Sequence, residues 1–342
     1  MYNFPEIADK IVNDLLKIKP GNVVSISGEI HNANKTEKPL LEIPFIEELA
    51  LEIRKKKAFP VLEISTENLK KRFFAEMPSD VFSLQPVYYK KWIDSIDVFI
   101  YVGWKNVFNE FQKTSNEKLK KTTEGIWEKI FQQKKKLLFL NFPSFELADF
   151  LNTKPDALLE FYSKSADCNY AQLQEEKNEL KTKFSTFSNY TIHSKNEKVN
   201  FKTKIILPDL LKNQDYPHIT ILPFGCQDIP LERKKINGTF IAEKAYYKNF
   251  IYENLKVNFE KGFVHYISFK EEGKENFILQ NALMNSKTEC FLTLGFNPKV
   301  ISYTNYYLFD TCIDGNTSMK FFDGDSHPII LSNINAEIKK RI

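Results

Sequence analysis

Residues able to do chemistry gather late in this chain. Phe309-Asp310-Thr311-Cys312-Ile313-Asp314-Gly315 and Phe322-Asp323-Gly324-Asp325-Ser326-His327 bring four aspartates, a cysteine and a histidine into residues 310–327. Asp and Gly at such spacing satisfy the local backbone of tight turns, so hairpin turns are one reading. The other is a cation site in which Asp310, Asp323, Asp325 and His327 are joined by Glu289. Carboxylates suit hard cations, and imidazole or thiolate suits transition metals. Earlier, Cys226 stands in the turn-like segment Pro223-Phe224-Gly225-Cys226-Gln227-Asp228 and is the thiol of most interest among Cys168, Cys226, Cys290 and Cys312. A buried, inert cysteine is the plainer reading of it.

The remaining motifs exclude more than they offer. Five histidines (His31, His193, His218, His265 and His327) include no H-E-x-x-H and no H-x-H, so spacing alone assembles no metal site. His31 follows the first strand, in a loop of the kind that lines ligand crevices in parallel sheets. His193 and His265 fall in alternating strand patterns and read as packed or surface residues. There is no G-x-S-x-G elbow and no local cysteine-protease signature. With only 11 glycines and neither G-x-G-x-x-G nor G-x-x-x-x-G-K-[ST], a glycine-rich phosphate cradle is disfavoured. The 48 basic and 44 acidic residues leave a net charge of +4. The runs Arg54–Lys57 and Lys134–Lys136 each precede an apolar run, as cations at helix C-termini do. No concentrated basic stripe marks a nucleic-acid partner.

The elements that must position these residues come in two textures. At 342 residues the chain suggests two domains. Asn22–Ser27, Val61–Ile64, Ile96–Val102 and Leu137–Phe142 read as strands. Between them, Ile43–Lys57 carries Ile46, Leu49, Ala50 and Ile53 at helical spacing, and residues 116–133 form a further helix. Strands alternating with helices imply an α/β domain with a parallel, helix-covered sheet. A long polar helix, Pro155–Phe184, closes it, with its charged run Gln172–Lys177 solvated. After residue 186 short alternating runs, Tyr190–His193, Val199–Ile206, Phe240–Ala242 and Val264–Phe269, read as strands. With turn signals at Asn237-Gly238 and Lys261-Gly262 and a helix at Glu275–Met284, they give a β-rich α+β domain over 187–342. The cysteines lie far apart, no run approaches the ~20 apolar residues of a membrane span, and no signal peptide opens the chain. A soluble cytoplasmic protein with reduced thiols is expected.

Taken in order, several segments resemble the thermophile-type metallo-aminopeptidases, the family of aminopeptidase T and aminopeptidase S. They are Lys19–Ile26, Leu222-Pro223-Phe224-Gly225, Ile229-Pro230, Asn237-Gly238-Thr239, Glu289–Pro298, Leu308-Phe309-Asp310 and Gly315. The resemblance implies an aminopeptidase-T-like fold, a leucyl-aminopeptidase-like hydrolase, and a homodimer. It also implies two divalent metals held by two glutamates, two histidines, an aspartate and a tyrosine. Here the chain departs from the family: Glu289 falls on one ligand position, Cys226 occupies the other glutamate position, and Ser318 a histidine position. The closing His-x-Asp is absent, although His327 could supply its histidine. A single softer site for one divalent metal (Zn, Co, Mn or Fe) from Cys226, Glu289 and His327 is the form such chemistry would take. Three readings follow: a divergent member that keeps a cleft for a peptide or small amine; a working metal-dependent hydrolase or ring-opening-type enzyme with rearranged ligands; and a structural or partner-binding protein.

Overall fold

The computed structural model describes residues 3–30, 42–78, 87–103, 129–130, 132–185, 188–194, 196–203, 219–248, 250–270, 273–325 and 327–340. The chain divides into two compact units, one made of Met1–Asp167 with Lys212–Pro223 and the other of Cys168–Leu211 with Phe224–Ile342. No helix among the described residues is long and apolar enough to cross a membrane.

The first unit is built on strands β1 (Val23–Ile30), β2 (Phe59–Thr66), β3 (Val98–Gly103) and β4 (Lys136–Asn141). After β5 (Asn189–Ser194) and β6 (Glu197–Lys202), which belong to the second unit, the chain returns to add β7 (Ile219–Leu222). The five strands are all parallel, in the order β2-β1-β3-β4-β7. The β-branched and leucine runs of β1, β3 and β4 are buried, as a helix-covered parallel sheet requires: Val24, Ile26, Ile100, Leu138 and Leu140 have no exposed surface. The helix Glu42–Lys55 turns Phe45, Ile46, Leu49 and Ile53 inward, the stripe expected from its spacing.

One expectation is corrected here. The single helix Pro155–Phe184 is two helices, Pro155–Ala166 and Tyr170–Ser185. Asn169 starts the second one: its side chain accepts from Gln172 N at 3.2 Å and its carbonyl from Leu173 N at 3.0 Å, which satisfies amides a helix start leaves free. In the compact units Tyr170–Ser185 goes with the second and β7 with the first. A four-residue apolar run such as Ile219–Leu222 carries too little periodicity to reveal which sheet it joins. His31, His218 and residues 116–128 of the expected helix lie outside the described residues.

The second unit is an antiparallel sheet. Its further strands are β8 (Cys226–Pro230), β9 (Asn237–Tyr247), β10 (Phe250–Glu260), β11 (Phe263–Ser268), β12 (Cys290–Gly295), β13 (Thr317–Phe322), β14 (Pro328–Asn333) and β15 (Glu337–Lys340). They run in the order β15-β5-β6-β9-β14-β13-β12-β8, with the β10–β11 hairpin paired to β9. Lys261 (φ 49°) and Gly262 (φ 79°) form that hairpin's turn, as their types predict. Asn237-Gly238 is not a turn but the start of β9. Gly238 is needed there because its φ is 113° and a Cβ would lie 2.2 Å from Lys198 O. One face of this sheet forms a core with Phe240, Leu255, Val257, Phe259, Leu292, Met319, Phe321 and Leu331. The helix Lys274–Met284 adds Leu279 and Leu283 to it.

Candidate functional site on the polar face of the antiparallel sheet

Strand alternation gives this sheet two unlike faces. The register aligns Ile229, Leu292, Met319, Leu331 and Ala245 across β8, β12, β13, β14 and β9, all in the core. One residue earlier or later, the same strands align Asp228, Thr293, Ser318, Ser332 and Lys244 on the opposite face. Those side chains are polar yet largely covered, with Ser318 and Ser332 fully buried. Buried polar groups must be paired, and these are. Ser318 Oγ and Ser332 Oγ lie 3.0 Å apart, Ser332 donates to Asn316 Oδ1 at 3.0 Å, and Asn316 Nδ2 donates to the Asp310 carbonyl at 2.7 Å. At the β8 edge, Asp228 accepts from Lys320 Nζ at 2.9 Å and from Thr293 Oγ1. Burial alone would lower the Lys320 pKa, but the Asp228 carboxylate outweighs it and holds the ammonium charged.

Asp310 anchors the loop that covers this face. Its Oδ1 accepts from the Thr304 amide and hydroxyl, both at 2.7 Å, and its Oδ2 from Asn305 N at 3.0 Å and Tyr246 OH at 2.6 Å. Complete burial pushes its carboxyl up to about 6, only partly offset by the bonds from Tyr246 and Thr304. Beside it the Cys312 and Cys226 thiols hydrogen-bond one another. That bond lowers the pKa of half-buried Cys226 against the opposing effect of desolvation, with help from Lys320 and Lys177. The same bond and burial raise Cys312, so Cys226 ionises first.

The sequence-derived metal set does not converge. Cys226 pairs with Gly295 at one end of β12, whereas Glu289 precedes the other end and is exposed. Six residues of strand separate the two levels, ~20 Å at strand rise. His327 lies with the β13–β14 turn at the Glu289 end, where Lys287 N bonds Phe322 O at 2.7 Å. Cys226, Glu289 and His327 therefore do not fit a shared metal, and neither do they reproduce the two-metal set implied by the resemblance. Asp310 also stands apart from Asp323 and Asp325, on the opposite face of the sheet. The structure does bring Asp323, Asp325 and His327 together, with donor atoms within 4.8 Å of one another. Asp323 is already engaged there. Its Oδ1 accepts from His327 N at 2.7 Å, and its Oδ2 from Tyr247 OH at 2.7 Å, with His327 Nδ1 at 3.0 Å. Burial raises the Asp323 pKa, but the bonds from Tyr247 and His327 outweigh it and leave the carboxyl below its usual range. Asp323 is thus taken up by the turn's own donors, beside Asp325 and His327.

Sequence reasoning missed Asp228, Lys320, Tyr246, Tyr247 and Asn316. Their signal was parity: in Thr317-Ser318-Met319-Lys320-Phe321 the polar and apolar residues alternate as cleanly as in a solvated strand, which hid that the polar side is covered as well.

A parallel, helix-covered sheet joined to a large antiparallel one defines a two-unit α/β and β class of fold. No family model matches the chain, and no curated protein matches it. A solved structure, the wild-type AmpT of Thermus thermophilus, is similar over 99% of this chain and 94% of that one, with a TM-score of 0.66 and 11% sequence identity. The fold is aminopeptidase-T-like.

Proposed function

We propose that this protein is a divergent aminopeptidase-like protein that holds a peptide or small amine without ordinary two-metal peptide hydrolysis. The observation that carries the reading is the Asp228–Lys320 pair at the β8 edge of the polar face. A partly exposed carboxylate beside a charged ammonium complements the amine and carboxylate of an amino acid or short peptide. The dispersal of Cys226, Glu289 and His327 supports the loss of the two-metal reaction, since such hydrolysis needs both metals clamped about one water. A second reading, a metal-dependent hydrolase with rearranged ligands, rests on the grouping of Asp323, Asp325 and His327.

The test is elemental mass spectrometry on protein purified without chelator, repeated after adding zinc, cobalt, manganese and iron. It is paired with an aminoacyl-substrate assay and calorimetric titration with dipeptides. We expect well under one metal equivalent, no hydrolysis, and saturable dipeptide binding that Asp228→Asn abolishes. One or two retained equivalents with metal-dependent release of N-terminal residues would overturn the proposal.

A further inference from the structure

The geometry points to Cys226 and Cys312 as a peroxide-reactive dithiol, with Cys226 the attacking thiol and Cys312 the resolving one. This goes beyond the proposed ligand-binding role and does not depend on it.

The pair is assembled by a glycine. Cys226 lies directly across the β8–β12 ladder from Gly295, so its side chain and the missing side chain of Gly295 share one face of the sheet. The loop after Tyr307–Asp310 occupies that vacancy. A Cβ on Gly295 would stand 2.1 Å from Ile313 O, 2.6 Å from Thr311 O and 3.0 Å from the Cys312 carbonyl carbon. Asn297 N fixes the same segment by donating to Cys312 O at 3.0 Å. The Cys312 backbone therefore rides on the residue opposite Cys226. The two thiols are already in hydrogen-bond contact.

The surroundings divide the roles. Cys226 is half-buried, and Lys320 and Lys177 favour its thiolate against the opposing charge of Asp228. Reactive thiols occupy such partly exposed, electropositive positions beside a resolving cysteine. Cys312 is buried, and its sulfur also contacts Leu308 O at 3.6 Å. Cys168 and Cys290 are buried as well, and Cys290 is bonded to Leu231 O at 3.7 Å.

The chemistry balances with hydrogen peroxide or an organic hydroperoxide as oxidant. The Cys226 thiolate attacks one peroxide oxygen and the O–O bond breaks. The departing oxygen takes a proton and leaves as water or alcohol. Cys226 becomes a sulfenic acid, oxidised by two electrons. Cys312 then attacks the Cys226 sulfur, its proton joins the departing hydroxide, and a disulfide and water remain.

The experiment exposes the full-length native protein to hydrogen peroxide and follows it by thiol titration, intact mass and non-reducing peptide mapping. The wild type should fall from four free thiols to two, lose the mass of two hydrogens, yield a linked Cys226–Cys312 peptide in monomeric protein, and recover with dithiothreitol. Cys312→Ser should instead accumulate a dimedone adduct on Cys226. Retention of all thiols at peroxide levels that oxidise free cysteine would overturn the inference. So would a different linkage, or Cys312 oxidising unaided in Cys226→Ser. The wild-type peptide map decides the matter even where a variant fails to fold.

Discussion

Asp310 and Asp323 are served by consecutive tyrosines of one strand, yet they meet opposite fates. Tyr246 and Tyr247 point to opposite faces of β9, and each donates a short hydrogen bond to an aspartate Oδ2. Asp310 is sealed beneath its own loop, and burial raises its carboxyl to about 6 although four donors reach it. Asp323 is buried too, but in its hairpin turn Tyr247 and the His327 amide and ring outweigh that burial and draw its carboxyl below the ordinary range. The same residue type with the same phenolic partner can therefore resist or welcome its charge, and the balance of desolvation against donors decides between them.

The strongest way to break this comparison is Asp310→Ala. It strands the Tyr246 hydroxyl, the Thr304 amide and hydroxyl and the Asn305 amide, each worth about 1–3 kcal/mol if left unpaired in the interior. A loss of at least ~3 kcal/mol in urea unfolding is expected, and a loss under ~1 kcal/mol would remove Asp310 as the organiser of its loop. Gly295→Ala strikes the same loop from beneath, because the new methyl meets the backbone oxygens of Ile313 and Thr311. It should cost about 1–3 kcal/mol, as overpacking does. Unchanged melting would show that the loop yields freely.

The pH dependence sharpens the contrast. Asp310 has a folded pKa of about 6, above the unfolded value near 3.9. Its contribution is fully present below ~4 and is lost as pH rises through about 6, a change on the order of 2–3 kcal/mol. Asp323 has the opposite sign: its contribution is present above ~4 and lost as pH falls through its lowered folded value. Asp310→Asn should therefore flatten the decline between pH 4 and 6, and Asp323→Asn should flatten the acid limb below it. Melts at each pH check both, and matching curves for the two variants would refute the assignment. Smallest of all, Glu289→Ala at an exposed site should change stability by less than ~0.5 kcal/mol and leave metal content untouched.

Much of the architecture was legible because it rests on periodicity. The runs Asn22–Ser27, Ile96–Val102 and Leu137–Phe142 announce strands covered on both faces, and the Ile46-Leu49-Ile53 spacing announces a buried helix face. The site was less legible, because it depends on register. The sequence cannot say that Thr293 lies opposite Asp228 on one side and Ser318 on the other, or that Cys226 falls level with Gly295 rather than with Glu289. The family resemblance grouped Cys226, Glu289 and His327, and one strand's length separates Cys226 from the other two. The Asp323–His327 turn was readable either way, since the residues that make a tight turn are also cation ligands.

The return of the chain to add β7 has a consequence for recombination. Each unit is assembled from two segments, in the order first, second, first, second. A single genetic junction therefore cannot exchange one whole unit for another. A fragment ending at residue 186 would keep β1 to β4 but lack Ile219–Leu222, the partner of Leu137–Leu140. Its outer backbone would stand bare as a template for pairing with other copies. The two units have to be inherited, and expressed, together.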